Sequence, residues 1–124
     1  MPVRQLTNET VNAMLNDRDT VLVDFWAPWC GPCRVFKPVF EAAAERHADV
    51  VFAACNTEEQ PELAAAFGIR SIPTVMAFRE GVLVYSQPGA LPAEAVDELL
   101  RQVRALDMAE VHAKAEPAGA DARA

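Results

Sequence analysis

The sequence predicts an α/β fold in which a central mixed β-sheet carries helices on both faces. Three observations predict it. Short runs rich in branched apolar residues alternate with segments of helical apolar spacing, the last two strand-like runs are separated by a hairpin-length connection, and 124 residues suit one domain. Strands that alternate with helices pair in parallel, whereas a hairpin pairs its strands antiparallel, so the sheet should contain both kinds of pairing.

The first half of the chain reads as strand, helix, strand and helix. Residues 3–6 form a short strand, and Thr7 or Asn8 can cap the helix that follows. Residues 20–25 form a β-branched and apolar run that is typical of a strand with both faces buried. After a turn, a stripe of apolar residues at helical spacing predicts the second helix: Val35, Phe36, Val39, Phe40 and Ala43.

The second half continues with a strand at residues 50–55 and a short helix at residues 62–67. Two strands at residues 74–78 and 82–86 are joined by a turn that contains Gly81, which can supply a positive φ. An amphipathic helix follows, and its apolar side is formed by Val96, Leu99, Leu100, Val103 and Leu106. This order of elements fits a mixed sheet covered on both faces.

We expect residues 1–106 to form the domain and residues 107–124 to form a C-terminal tail. The tail is rich in alanine and charged residues. Met108 and Val111 should extend the last helix, whereas the final eight residues bury too little apolar surface to be ordered.

Composition and charge exclude several classes of function. The formal net charge of −7 repels both the backbone of nucleic acids and anionic membranes. The first ten residues lack the basic and apolar regions of a signal peptide, and no apolar run approaches membrane-spanning length. An odd count of 3 cysteines disfavours a secreted disulfide framework. We therefore expect a cytoplasmic protein that binds neither nucleic acid nor membrane.

The chemistry is concentrated in residues 29–33, which read WCGPC and lie between the second predicted strand and the second predicted helix. At the start of a helix, unpaired backbone N–H groups and the helix dipole stabilise an anion, so Cys30 is placed to be a thiolate. Cys33 lies one helical turn further along and can close a disulfide with Cys30. Two thiols at this spacing form a redox couple.

Two other interpretations of the cysteine pair are weaker. Half of a structural zinc site would need further ligands, but Cys55, His47 and His112 are the remaining candidates, and none is paired with another at ligand spacing. A structural disulfide between residues 30 and 33 would close a very small loop and would therefore contribute little stability.

Three segments of the chain carry a resemblance to a known family. They are VDFWAPWCGPC at residues 23–33, GIRSIPT at residues 68–74 and the pair Gly89 and Ala90. These segments closely resemble the motifs of the thioredoxin family, and the resemblance covers residues 3–106. It implies the thioredoxin fold and an exchange of the protein's dithiol with substrate disulfides.

The resemblance also implies a role for each residue of the WCGPC run. Cys30 attacks the client disulfide, Cys33 resolves the resulting mixed disulfide, and Gly31 and Pro32 set the geometry of the turn and the redox poise. Trp29 precedes the nucleophile at the mouth of the turn, and we interpret it as a rim that contacts the substrate.

A groove that docks an extended client segment is implied as well. The family carries a cis peptide bond before the proline that matches Pro73, and this bond would expose the backbone groups of Ile72 for pairing with the client as an added strand. Gly89 and Ala90 would complete the groove. Pro88 departs from the branched apolar residue of the family pattern, which removes one backbone donor there.

Asp24 is the anomaly of the second strand. A carboxylate inside an apolar strand is costly unless it is paired or protonated, and strained ionisable groups cluster at functional sites. The resemblance implies that Asp24 exchanges a proton with Cys33 through water. At the position where the family commonly has a lysine near this carboxylate, the chain has Ala54.

The function that follows is that of a monomeric protein-disulfide reductase, a thiol-disulfide oxidoreductase of cell redox homeostasis. The resemblance implies electrons from NADPH through a thioredoxin reductase, disulfide-containing client proteins as partners, and no bound cofactor or metal. A disulfide oxidase or isomerase would call for an export signal and a charged or histidine dipeptide between the cysteines, and neither is present. A binding module that grips clients without redox chemistry would not need two thiols at this spacing.

Overall fold

The computed structural model describes residues 2–17 and 19–114. Within them the elements follow the predicted order, with bounds that differ from the predicted ones by a few residues. They are β1 (Val3–Gln5), α1 (Val11–Asp17), β2 (Thr20–Trp26), α2 (Gly31–Arg46), β3 (Val51–Asn56), α3 (Pro61–Ala66), β4 (Thr74–Arg79), β5 (Val82–Pro88), α4 (Ala93–Arg104) and α5 (Met108–Lys114).

The strands form one sheet in the order β1-β3-β2-β4-β5. Strands β1 and β2 run parallel to β3, whereas β4 runs antiparallel to β2 and β5 antiparallel to β4. The predicted mixed sheet is therefore confirmed. The hairpin between β4 and β5 turns at Glu80 and Gly81, both of which have positive φ (54° and 81°), as a two-residue turn matched to the strand twist requires.

Helices cover both faces of the sheet, as predicted. On one face α2 and α4 pack against the sheet, with Phe36 and Phe40 from α2 and Leu100 from α4 among the buried side chains. On the other face α1 and α3 do the same, through residues that include Leu15 and Leu63. Neighbouring residues of a strand point to opposite faces, so each central strand contributes to both clusters.

Residues 108–114 form a separate helix, so the expectation that they extend the last helix is wrong. Helix α4 ends at Arg104, and a new helix begins after Asp107, whose side chain accepts hydrogen bonds from the backbone N–H groups of Ala109 (3.1 Å) and Glu110 (3.3 Å). Met108 is buried at the start of this helix. The predicted disorder of residues 117–124 concerns a segment outside the described residues, and the division of the chain at residue 106 stays a prediction.

A network of charged side chains joins the end of α2 to α4. Asp97 accepts hydrogen bonds from Arg46 (2.8 Å) and from Nε2 of His47 (2.7 Å). Arg104 donates to Nδ1 of His47 (3.3 Å) and to both oxygens of Asp49 (3.0 Å each). Because Nδ1 accepts from Arg104, Nε2 carries the proton that His47 donates to Asp97. His47 thus has a structural role that its sequence context does not indicate.

None of the helices in the described part of the chain combines the length and the apolar character needed to cross a membrane.

Candidate active site

The two cysteines lie where strand β2 passes into helix α2. Cys30 is the N-cap of α2, with extended backbone angles (φ −88°, ψ 115°), and its Sγ accepts a hydrogen bond from the N–H of Cys33 at 3.2 Å. A disulfide joins the two residues, whose Cα atoms are 5.2 Å apart. Both cysteines are buried. The predicted placement of the pair at a helix start is therefore confirmed, and the cap hydrogen bond shows that an N–H of the first turn points at Cys30 sulfur.

Gly31 and Pro32, the residues between the cysteines, are exposed and open the first turn of α2. Pro32 suits this position because its missing N–H would have no helical partner there. A Cβ atom added to Gly31 would meet no other atom within 4 Å, so the space beside the disulfide is open at this residue. A second molecule can therefore approach the pair from this side.

Exposed apolar side chains flank the disulfide. Trp29 is 64% exposed, which agrees with the interpretation that it forms a rim. Val35, in the second turn of α2, is 70% exposed, although it belongs to the apolar stripe that predicted this helix. At about 100° per residue the five apolar positions fall within an arc of roughly 140°, and Val35 lies at one edge of it, furthest from Phe40. The position of Val35 at the edge of the apolar stripe is the signal that could have predicted its exposure.

The loop before β4 and the end of β5 meet beside the cysteines. The peptide bond between Ile72 and Pro73 is cis, which confirms the expectation drawn from the family resemblance. The carbonyl of Pro73 accepts a hydrogen bond from the N–H of Gly89 at 2.8 Å, and Gly89 has a φ of 105°. Gly89 and Ala90 are exposed, while the side chain of Ile72 packs against the cysteine pair. The structure thus brings together the sequence-predicted residues of the groove.

The backbone of Ile72 makes no backbone hydrogen bond within the described residues, through either its N–H or its carbonyl. Ile72 is half-buried, so its unpaired donor and acceptor remain available to water or to another chain.

Asp24 is the most perturbed acid in the described part of the chain. Its side chain is 4% exposed, and its Oδ1 has no hydrogen-bond partner among the described residues. In the sheet it lies opposite Ala54 of β3 on one side and Val75 of β4 on the other, and neither can pair with a carboxylate. Burial raises the pKa of Asp24 from 3.8 to about 7. The carboxyl group therefore exchanges its proton near neutral pH.

A cavity of about 450 Å³ connects this acid with the buried cysteine. Its lining includes Asp24, Cys33, Lys37, Phe40, Glu41 and Ala54. Sequence reasoning pointed to Asp24, Cys33 and Ala54, and the structure places all three at one cavity. Lys37 and Glu41 were missed, although they follow Cys33 at intervals of four residues along α2 and therefore share its side of the helix.

No three acidic, histidine or cysteine side chains are grouped to hold a metal ion within residues 2–17 and 19–114.

Comparison with known proteins identifies the family. The family model described as Thioredoxin matches residues 2–102. The chain belongs to the thioredoxin family. It is 55% identical over 107 residues to "Putative thioredoxin 2" of Streptomyces coelicolor, an alignment that covers 86% of this chain and 80% of the relative. It is 42% identical to the thioredoxin of Porphyra purpurea over 82% of this chain and 97% of the relative.

A solved structure supports the fold as well. It comes from work on the thiol resolving mechanism of a yeast mitochondrial 1-Cys peroxiredoxin via glutathione/thioredoxin systems, and it matches with a TM-score of 0.75 and 26% identity, covering 81% of this chain and 94% of that chain. Like the thioredoxins it resembles, this protein is a thiol-disulfide oxidoreductase that acts by dithiol-disulfide exchange through Cys30 and Cys33. Thioredoxins need no bound cofactor for this exchange.

Proposed function

We propose that the protein reduces disulfides of client proteins in the cytoplasm, as a monomer, and is returned to its dithiol form by a thioredoxin reductase that takes electrons from NADPH. The observation that carries this proposal is the disulfide at the start of α2, placed between an exposed rim and a cavity that holds an ionisable acid. An odd count of 3 cysteines, with a pair that serves exchange rather than structure, fits a reducing compartment and supports the cytoplasmic setting.

Cys30 is the nucleophile of the proposed reaction. Its sulfur lies at the helix start and next to the exposed Trp29, whereas Cys33 faces the cavity inside the protein. The thiolate of Cys30 attacks one sulfur of the client disulfide, a mixed disulfide forms, and the client's other sulfur leaves as a thiolate. The N-terminal N–H groups of α2 stabilise the attacking anion.

Cys33 completes the reaction with the help of Asp24. The thiol of Cys33 gives its proton to the Asp24 carboxylate, by way of water in the cavity, and the resulting thiolate attacks the sulfur of Cys30. The Cys30–Cys33 disulfide forms, and the second client sulfur leaves. Two electrons pass from the protein to the client, and the client's thiolates take up protons from water. An acid with a pKa of about 7 suits this role because it is partly ionised at neutral pH.

The client docks along the cis-proline loop. An extended segment that contains the client cysteine pairs with the free backbone groups of Ile72, as a strand added next to Pro73. Trp29, Gly31 and Pro32 contact the segment on one side, and Gly89 and Ala90 do so on the other. Backbone pairing of this kind is insensitive to the client's side chains, which fits a reductase of many proteins.

Serine variants of the two cysteines test this assignment. Cys33→Ser should still attack a client disulfide and then stop as a mixed disulfide, because the resolving thiol is missing. Cys30→Ser should neither form the adduct nor turn over. Cys55→Ala removes a buried thiol on the far face of the sheet and should behave as the wild type. The measurement is a non-reducing gel with a disulfide-bonded client, together with NADPH consumption in the presence of a thioredoxin reductase.

Equal trapping by Cys30→Ser and Cys33→Ser would show that the roles are misassigned. Full turnover by either variant would contradict the exchange mechanism itself.

A further inference from the structure

The cavity beside Asp24 is larger than a proton path requires. Its volume of about 450 Å³ lies within the range of pockets that hold small molecules, whereas one liquid water needs roughly 30 Å³. The small side chain of Ala54 leaves this space open, because Ala54 faces Asp24 across the β2–β3 pairing and its side chain ends at Cβ. The lining also includes the apolar surfaces of Val3 and Phe40. The cavity is therefore bordered by the Asp24 carboxyl group and by apolar side chains.

The carboxyl group in this cavity lacks a cationic partner. Among the described residues, no charged side chain of α2 that lines the cavity forms an ion pair with Asp24. Arg34 donates to the carbonyl of Pro28 at 3.0 Å, and Lys37 lies 4.0 Å from Glu41 at the exposed mouth. The sulfur of Cys33, which also lines the cavity, is held in the disulfide and carries no charge.

Apart from Asp24 itself, the strands supply no charged side chain to the cavity lining. Strand β1 contributes Val3 and Gln5, and β3 contributes Ala54. On β4, the residue opposite Asp24 is Val75. Within the described residues, Asp24 is consequently a buried acid with a free oxygen and open space in front of it.

We propose that this cavity binds a short primary alkylammonium ion, with its nitrogen at the Asp24 carboxylate and its carbon chain along Val3, Phe40 and Ala54. An ammonium group supplies the donors and the charge that the carboxylate lacks. A straight alkyl chain covers the apolar wall, as the stem of a lysine side chain would. A ligand of five or six heavy atoms makes few contacts, so we expect binding that saturates only in about the millimolar range.

Bound alkylammonium would act on the proton step. A positive charge next to a carboxylate favours its ionised form, so the ligand lowers the pKa of Asp24 and keeps the acceptor of the Cys33 proton available at lower pH. This consequence rests on the proposed function, in which Asp24 takes that proton. The binding site itself does not, since it depends on the cavity and the carboxyl group alone.

The test is a pH titration of the Asp24 carboxyl carbon by NMR in the disulfide form, where Cys33 has no proton to lose. The probe is n-butylammonium, and n-butanol is the neutral control of equal chain length. We expect a saturable change with n-butylammonium and a pKa of Asp24 that moves from about 7 towards 3.8. The alcohol should leave the pKa unchanged or raise it.

Two variants and one control locate the site. Ala54→Leu fills the cavity and should abolish the effect, whereas Ala66→Leu adds the same atoms at an exposed position of α3 outside the cavity lining and should leave it intact. Asp24→Asn should abolish saturable binding, as followed by the ligand's own NMR signals. This comparison decides the question even if Ala54→Leu does not fold.

A linear, non-saturating response would overturn the proposal. So would binding that survives both Ala54→Leu and Asp24→Asn, because the ion would then sit elsewhere on the surface. If the ligand binds as described but turnover keeps the same pH dependence, the site stands and the proposed role of Asp24 falls.

Discussion

Two aspartates at opposite ends of helix α2 show how differently one protein treats the same side chain. Asp24 lies in β2, at the cavity that Cys33 of α2 also lines, where it is buried and has an oxygen without a partner among the described residues. Asp97 lies on α4 beside the end of α2, with a side chain that is 45% exposed. Burial raises the pKa of Asp24 to about 7. Hydrogen bonds from His47, and then from Arg46, hold the pKa of Asp97 below its ordinary value.

The two aspartates therefore differ in role: Asp24 belongs to the candidate active site, whereas Asp97 belongs to a structural ion-pair network. At the far end of α2 the charged side chains pair with one another and link two helices, which adds modestly to the stability of the fold. At the cysteine end, the fold retains a carboxyl group that costs stability and leaves it facing a cavity. Such a group is retained for its chemistry, because a residue that only filled space would be apolar.

The largest effect should come from removing the unpaired acid. Between pH 3.8 and about 7, the folded protein holds the Asp24 proton more tightly than the unfolded chain, so stability falls as the pH rises through this window. Above pH 7 the cost is complete, at roughly 4 kcal/mol when 1.36 kcal/mol is counted per pKa unit. The advantage of Asp24→Asn over the wild type should therefore grow by up to that amount from pH 4 to pH 8, as measured by urea unfolding.

An advantage that stays constant across this pH range would mean that Asp24 is solvated or paired in solution. Far-UV circular dichroism of the variant provides the control for an unchanged fold.

The paired aspartate should give the opposite sign and a smaller effect. Asp97→Asn removes the acceptor of Arg46 and His47 and should lower the free energy of unfolding at pH 7 by about 1 kcal/mol or less, as expected for exposed ion pairs. A lowered pKa stabilises the folded state above the ordinary value near 3.8 and loses this contribution as the pH falls through the lowered value. The two proteins should therefore converge in acid. Stabilisation by Asp97→Asn at pH 7 would overturn the contrast with Asp24.

The smallest effect should come from the C-terminal helix. Truncation after Leu106 removes the buried Met108. It also removes the hydrogen bond between His112 and Glu80 (2.8 Å), and the side chains of His112 and Glu80 are both substantially exposed. The lost burial is largely offset by the freedom that the released residues regain, so we expect a loss of about 0.5 kcal/mol and unchanged turnover. A loss of several kcal/mol would show that α5 is part of the domain core and that the predicted boundary at residue 106 is misplaced.

Local patterns in the sequence predicted most of the helices and strands and their order. Strand and helix periodicities predicted the order of elements, and the carboxylate within the apolar run of β2 marked Asp24 as unusual. The cis bond before Pro73 came from the family resemblance, since nothing in the local residues distinguishes it from a trans bond at a strand start. What local patterns cannot contain is contact between distant segments. His47 meets Asp97 across 50 positions, and the cavity exists because α2 packs over β1 and β3.

The role of Asp24 can be read from the rate at which Cys33 resolves a preformed mixed disulfide, followed in single turnover from pH 5 to pH 9. If Asp24 accepts the Cys33 proton, the wild-type rate should rise with pH and show a midpoint near 7, where the acid ionises. Asp24→Asn should lose this rise and be slower at pH 8 by about a hundredfold, the lower end of what general base catalysis contributes. Superimposable profiles for the two proteins would contradict the account, because Cys33 would then lose its proton without Asp24.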